Sequence, residues 1–138
     1  MQNAPKTGTS YTKTLTVLDK HAVDFAIPEL PPVLSTPSLV LLLERTCLEL
    51  MQPYLEEGDL TVGVQIDLEH LAPSPIGATV TSTARVVQSD GPVVTFQVEA
   101  RDEKDQLAKG LHKRRVVNAG RLGDRVRRKI ESLKGDSQ

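Results

Sequence analysis

The strongest hydrophobic pattern in the chain is helical and lies in the segment SLVLLLERTCLELMQPYL. Apolar side chains recur there at the spacing of one helix face: Val40, Leu43, Cys47, Leu50 and Met51. Pro37 suits the first position of this helix and Thr36 its N-cap, because threonine hydroxyls accept hydrogen bonds from first-turn N–H groups. Pro53 is expected to end it. The sequence therefore predicts one long apolar helix that a sheet must cover.

After Asp59 the apolar residues alternate, which is the period of a β-strand. In LTVGVQIDLEH one face is predicted to carry Leu60, Val62, Val64, Ile66 and Leu68. Further strands are predicted at residues 11–17, 77–87, 93–101 and 107–117, with residues 89–92 as a hairpin turn. This order predicts an α+β fold in which a curved antiparallel sheet wraps around one central helix. A second subunit is expected to cover part of the remaining apolar face, which predicts a homodimer.

Polar or proline-rich segments interrupt this pattern at three places. Residues 1–9 are polar and are predicted to be loose. Residues 28–37 hold four prolines and cannot form a regular helix. Residues 120–138 are predicted to form a basic C-terminal helix and tail. At this length the whole chain, residues 1–138, is expected to be a single domain.

The composition is that of an ordinary globular protein. The 138 residues are 38% hydrophobic and 25% charged, and the formal net charge of -1 does not favour nucleic acid or an anionic membrane surface as a partner. Cys47 is the single cysteine, so no intrachain disulfide can form. The start MQNAPKTGTS has no apolar signal core, and the longest apolar run is too short to span a membrane. We therefore expect a soluble cytoplasmic protein.

Glu44 and His70 are polar residues that the pattern places on apolar faces. Glu44 shares the helix face of Val40 and Cys47, where an unpaired carboxylate is costly, so it is expected to have a partner or a catalytic role. His70 has the parity of Leu68 and is expected to face the helix, where it could pair with Glu44. A structural acid and a satisfied core histidine remain the alternatives at these two positions.

Thr36, Gly63 and Arg114 carry weaker signals. The Thr36 hydroxyl is either a helix cap or a nucleophile at a helix N-terminus, where the dipole favours negative charge. Gly63 interrupts a regular strand, which indicates a bulge or the close approach of a ligand. Arg114 shares a strand face with His112 and with small residues, as a pocket lining would. The sequence has no metal-ligand spacing and no phosphate-binding or dinucleotide-binding motif.

From about Val33 to Val117 the chain resembles the fluoroacetyl-CoA thioesterase type of hot-dog protein. The resemblance is carried by STPSLVLLLERTCLELMQPYLEEGDLTVGVQIDLEHLAPSPIGATVT and by the later GLHKRRVV. It implies a hot-dog fold, hydrolysis of an acyl-CoA thioester, and no cofactor besides the coenzyme A of the substrate. It also implies catalytic roles for Thr36, Glu44 and His70, and contacts from Gly63 and Arg114 to the substrate.

The chain departs from the family pattern at two places. Pro37 stands where a member of the family has glycine, and residues 26–35 lack the aromatic side chains associated with fluoroacetate selectivity. We therefore expect thioester hydrolysis without a preference for fluoroacetyl-CoA. Two other functions stay open at this point. One is a hot-dog hydratase or dehydratase, and the other is a non-catalytic acyl-CoA binding or sensing module in which Thr36 is only a cap.

Overall fold

The computed structural model describes residues 3–136 and is built on one antiparallel sheet of five strands. In chain order the strands are β1 (Ser10–Thr16), the short β2 (Ala22–Val23) and β3 (Val33–Leu34), β4 (Asp59–His70), β5 (Thr79–Asp90), β6 (Val93–Arg101) and β7 (Gln106–Asn118). β2 and β3 pair with each other in a separate two-stranded sheet, and Val33 of β3 also forms a β-bridge with Pro75. The order across the main sheet is β1-β5-β6-β7-β4, so β1 and β4 form its two edges.

One long helix, α1 (Thr36–Met51), packs on one face of this sheet. Leu43 and Cys47 on its inner face are fully buried, as are Val80 and Phe96 on the sheet. Val40, which was predicted to lie in the buried stripe, is only half-buried. The predicted α+β architecture, with one apolar helix against an antiparallel sheet, is confirmed.

The predicted hairpin joins β5 to β6 at the expected place. The strands pair as far as Asp90 and Val93, with Gly91 and Pro92 between them. Gly91 has a φ of 58°, a left-handed conformation that glycine adopts without a steric penalty. The local Asp-Gly signal was therefore sufficient to predict this connection.

β4 contains a β-bulge that changes which side chains face α1. Its register against β7 shifts between Gly63 and Gln65, so one extra residue enters the strand there. Before the bulge, Thr61 and Gly63 lie against Arg114, and Gly63 also lies against Glu44 of α1. After the bulge, His70 contacts Thr36, the first residue of α1. The predicted orientation of His70 is confirmed. The prediction of one shared face is wrong for the series Leu60, Val62, Val64, Ile66 and Leu68, because a bulge inverts the alternation.

The terminal segments were predicted with unequal success. Gly8 donates a backbone hydrogen bond to Val86 at 2.8 Å, and Val86 donates one to Thr9 at 2.8 Å, so the prediction of a loose segment is wrong for these residues. The predicted C-terminal helix is present as α2 (Ala119–Asp136). Residues 1–2 and 137–138, the outermost parts of the predicted loose end and tail, lie outside the described residues. Within residues 3–136, no helix has the length and apolar content needed to cross a membrane.

Candidate active site

Helix α1 begins one residue earlier than the sequence predicts, and this changes the role of Thr36. Ser35 is the N-cap, because its backbone is extended and its hydroxyl accepts a hydrogen bond from the Ser38 N–H at 3.2 Å. Thr36 is the first helical residue and Pro37 the second, where a missing N–H costs no helical hydrogen bond. The predicted N-cap at Thr36 is therefore wrong, and the Thr36 hydroxyl is available for another partner.

The cap assignment has a measurable consequence for stability. We expect Ser35→Ala to lower the free energy of unfolding by about 1 kcal/mol, because the Ser38 N–H loses its acceptor. Ser35→Asn, which supplies another cap oxygen, should stay close to the wild-type value. Urea denaturation of the three proteins measures both differences. Equal stability of the Ser35→Ala and wild-type proteins would contradict the assignment.

Thr36 and His70 form a hydrogen-bonded pair at the start of α1. Thr36 Oγ1 lies 2.8 Å from Nδ1 of His70, the last residue of β4. The other ring nitrogen of His70, Nε2, is buried and has no hydrogen-bond partner among the described residues. When the hydroxyl donates to Nδ1, the ring proton is on Nε2. In that arrangement the Thr36 hydroxyl lies beside a base, Nδ1 of His70. The N–H at Nε2 of the same ring is then a buried donor without an acceptor.

Glu44 lies in a second cluster, further along α1. Its Oε2 is 3.6 Å from Nη1 of Arg114 on β7, and its side chain is 38% exposed. Gly63 lies against this ion pair, since a Cβ there would be 3.0 Å from Glu44 Oε2 and 3.4 Å from Arg114 Nη1. Glu44, Gly63 and His112 line an open groove. Arg114, which is almost completely buried, is held behind the groove by Thr61 and His112.

The two clusters do not meet within one chain. Thr36 and Glu44 are eight residues apart on α1, which corresponds to about 12 Å along a helix axis. The partner of Thr36 is His70, and the partner of Glu44 is Arg114. Among the described residues of a single chain, the predicted pairing of Glu44 with His70 is therefore not formed, and between two chains it stays a prediction. The structure brings together Thr36 with His70, and Glu44 with Gly63 and Arg114.

Sequence reasoning missed Thr61, one of the residues that hold Arg114 in place. Arg114 Nε donates to Thr61 Oγ1 at 2.9 Å, and Nη2 donates to the Thr61 carbonyl oxygen at 2.9 Å. Burial lowers the pKa of Arg114, and the charge of Glu44 acts in the opposite direction. Thr61 could not be selected from the sequence, because a strand without the bulge places its side chain on the face opposite to that of Leu68 and His70.

Cys47 is not a candidate nucleophile. It is fully buried, and burial raises the pKa of its thiol to about 12. The thiolate form is the reactive one, and it is negligible at neutral pH at such a pKa. In the part of the chain that the structure describes, no group of three or more His, Cys, Asp or Glu residues is placed to hold a metal ion.

Solved structures define the class of protein to which this fold belongs. A thioesterase superfamily member from Thermus thermophilus matches with a TM-score of 0.88 at 25% identity, over 98% of this chain and 99% of that one. A hot-dog-like protein from Thermanaerovibrio acidaminovorans matches with a TM-score of 0.82 at 28% identity, over 89% and 91% of the two chains. The chain therefore has the hot-dog fold of the thioesterase superfamily.

Closer relatives narrow this class to one family. The family model of the fluoroacetyl-CoA-specific thioesterase, FlK, matches residues 17–120. The fluoroacetyl-CoA thioesterase of Streptantibioticus cattleyicolor is 36% identical over 117 residues, which are 85% of this chain and 83% of that protein. A structure of the fluoroacetyl-CoA thioesterase FlK matches with a TM-score of 0.85 at 31% identity, over 92% of this chain and 98% of that one. The chain belongs to the fluoroacetyl-CoA-specific thioesterase family, as the sequence resemblance predicted.

Proposed function

We propose that the protein hydrolyses a small acyl-CoA thioester to a carboxylate and free coenzyme A at the Thr36–His70 pair. The observation that carries this proposal is the 2.8 Å contact between Thr36 Oγ1 and His70 Nδ1. A hydroxyl within hydrogen-bond reach of an imidazole is one arrangement that activates a nucleophile for acyl transfer. Membership of a thioesterase family supports the same reaction.

His70 is the general base in this mechanism. Its Nδ1 takes the proton of the attacking hydroxyl, which is either that of Thr36 or that of a water molecule hydrogen-bonded to Thr36. The oxygen attacks the thioester carbonyl carbon, the C–S bond then breaks, and the imidazolium returns its proton to the thiolate of coenzyme A. If Thr36 is the nucleophile, water hydrolyses the acyl-threonine in a second step through the same base. Mass spectrometry of the enzyme during turnover distinguishes the two routes, because only the first forms an acyl-enzyme.

The buried Nε2 of His70 needs an acceptor, and we propose that Glu44 of a partner subunit provides it. β4 is a twelve-residue edge strand, and Val64 and Ile66 near its middle are 52% and 37% exposed. Long uncovered edge strands tend to pair with another chain. Antiparallel pairing of two copies of β4 near Ile66 would bring His70 close to the partner subunit's Gly63, which lies beside Glu44. The proposed homodimer therefore completes a Thr–His–Glu site from two chains.

Gly63 and Arg114 are proposed to shape the substrate groove of this site. Arg114 holds the Glu44 carboxylate at 3.6 Å, and Gly63 leaves the space in front of it open. The segment ahead of α1 carries Ile27 and Leu30, which are 50% and 39% exposed. Residues 26–35 contain no aromatic side chain, which supports a small acyl group without selection for fluorine. Single-substitution mutants of FlK have been solved in complex with fluoroacetate and with acetyl-CoA.

The non-catalytic binding module has lost its main support. That interpretation required the Thr36 hydroxyl to serve only as the helix cap, whereas the cap is Ser35 and Thr36 contacts His70. The hydratase or dehydratase alternative has no specific feature in its favour among the described residues.

Free-thiol release from a panel of acyl-CoAs tests the proposed function. The panel should include acetyl-, fluoroacetyl-, propionyl-, isobutyryl- and benzoyl-CoA, with crotonyl-CoA as the probe for hydration without thiol release. We expect turnover of at least one short acyl group, and similar kcat/KM values for acetyl-CoA and fluoroacetyl-CoA. Binding of acyl-CoA without thiol release would contradict hydrolysis and favour the binding module. Hydration of crotonyl-CoA alone would favour the hydratase.

A further inference from the structure

His112 is a buried histidine whose two ring nitrogens both have partners. It is 2% exposed, and its Nδ1 lies 2.9 Å from the carbonyl oxygen of Gln65. Its Nε2 lies 3.1 Å from Nη1 of Arg114. A carbonyl oxygen only accepts, so Nδ1 carries the proton and Nε2 presents a lone pair to the arginine N–H. The surroundings therefore select one neutral tautomer.

The charges around His112 are consistent with a neutral ring. Burial lowers its pKa, and the neighbouring Arg114 charge acts in the same direction, whereas the Gln65 hydrogen bond and Glu44 raise it. The net shift is downward. A protonated ring would turn an N–H towards the guanidinium and would remove the acceptor that Arg114 uses.

The hydrogen bonds of Arg114 show what this acceptor does. Thr61 occupies Nε and Nη2, so Nη1 is the remaining nitrogen of the guanidinium. Nη1 contacts His112 Nε2 at 3.1 Å and Glu44 Oε2 at 3.6 Å. Because an Nη group has two hydrogens, binding of one by His112 directs the other towards the Glu44 carboxylate. The orientation of the Arg114 N–H that points to the Glu44 carboxylate thus depends on His112.

The bulge in β4 creates this arrangement. Gln65 directly follows the shift in register, and its carbonyl oxygen accepts from the side chain of His112. Gly63 directly precedes the shift, and a Cβ there would be 3.2 Å from Cε1 of His112. One irregularity in the strand therefore supplies both the hydrogen bond that sets the tautomer and the space that the ring needs.

We propose that His112 is a positioning residue, which orients Arg114 and through it the carboxylate of Glu44 in the substrate groove. The inference rests on the proposed function, because the positioned carboxylate is the one assigned to the thioesterase site. The hydrogen bonds of His112 go to Gln65 and Arg114 and not to Thr36 or His70, so its effect on hydrolysis passes through Arg114.

A matched pair of substitutions tests the acceptor itself. His112→Gln and His112→Met introduce side chains of similar length and volume, but only glutamine can accept a hydrogen bond from Arg114 near the position of Nε2. We expect His112→Met to lower kcat/KM by about tenfold to a hundredfold, mainly through kcat, since small misplacements of site groups have effects of this size. His112→Gln should recover most of the activity.

A double-mutant cycle separates positioning from a general structural role. In a Glu44→Gln background, the further substitution His112→Met should have little additional effect on kcat/KM, because the group that it positions is already altered. If the Met protein does not fold, His112→Asn replaces it. This variant keeps a donor near the Gln65 carbonyl oxygen and lacks an acceptor at the Nε2 position, so the same loss is expected.

The outcomes distinguish this inference from the proposed function. Absence of thiol release by the wild-type protein rejects the thioesterase site and the inference that depends on it. If the wild type turns over and the folded His112→Gln protein is only as active as the folded His112→Met or His112→Asn protein, only the positioning role is rejected. Additive effects of the Glu44 and His112 substitutions in the cycle also reject it.

Discussion

The His70→Ala protein is expected to lose about three orders of magnitude in kcat/KM for thioester hydrolysis, which is within the range that a general base contributes. The loss should fall on kcat, because His70 is assigned to proton transfer rather than to ground-state binding. Thr36, which loses the ring as its partner, is exposed, and Glu44 keeps its ion pair with Arg114, so we expect the variant to fold. Thiol release measured at saturating and at limiting substrate gives the two constants.

His21 provides the matched histidine control for this measurement. Its Nδ1 accepts a hydrogen bond from the backbone N–H of Leu18 at 2.9 Å, in a short turn outside the two clusters of the site. His21→Ala should keep kcat/KM near the wild-type value. Retention of full hydrolytic activity by a folded His70→Ala protein would show that another group is the base, and the proposed mechanism would be abandoned.

The sequence was sufficient to predict those parts of the fold that depend on neighbouring residues alone. Helix α1 follows from its apolar spacing, and the β5–β6 turn follows from Asp90-Gly91, because both signals depend on a few neighbouring residues. The bulge at Val64 was not predicted as such, since Gly63 allowed either a bulge or a ligand contact. His70 was nevertheless oriented correctly because it lies on the same side of the bulge as Leu68.

The candidate site was less accessible to sequence reasoning, for two physical reasons. Ser35 and Thr36 are adjacent hydroxyl residues with similar capping preference, and only the three-dimensional start of α1 shows which of them caps it. The partner of Glu44 depends on chain packing at a distance, and within one chain that partner is Arg114. A proposed contact between Glu44 and His70 therefore needs a second subunit. The strand pattern predicted that subunit, but no local pattern shows which residues it brings together.

Subunit complementation is expected to restore activity when Glu44→Ala and His70→Ala proteins are combined. Each homodimer alone should be nearly inactive, because both of its sites lack one member of the proposed Thr–His–Glu group. In a heterodimer, one site receives His70 from the first chain and Glu44 from the second, and the other site receives neither. With random exchange, half of the dimers are mixed and each has one intact site, so about a quarter of wild-type activity should return.

The same experiment contains its own control, because Thr36 and His70 contact each other within one chain. Thr36→Ala combined with His70→Ala should restore nothing, since every site in their heterodimer lacks one of the two groups. Co-expression with two different affinity tags allows the mixed dimer to be isolated and its thiol release measured directly. Recovery in the Glu44 and His70 mixture but not in the Thr36 and His70 mixture supports a site shared between subunits. No recovery in either mixture, with mixed dimers present, would confine the site to one chain and leave the buried Nε2 of His70 to be satisfied by substrate or water rather than by Glu44.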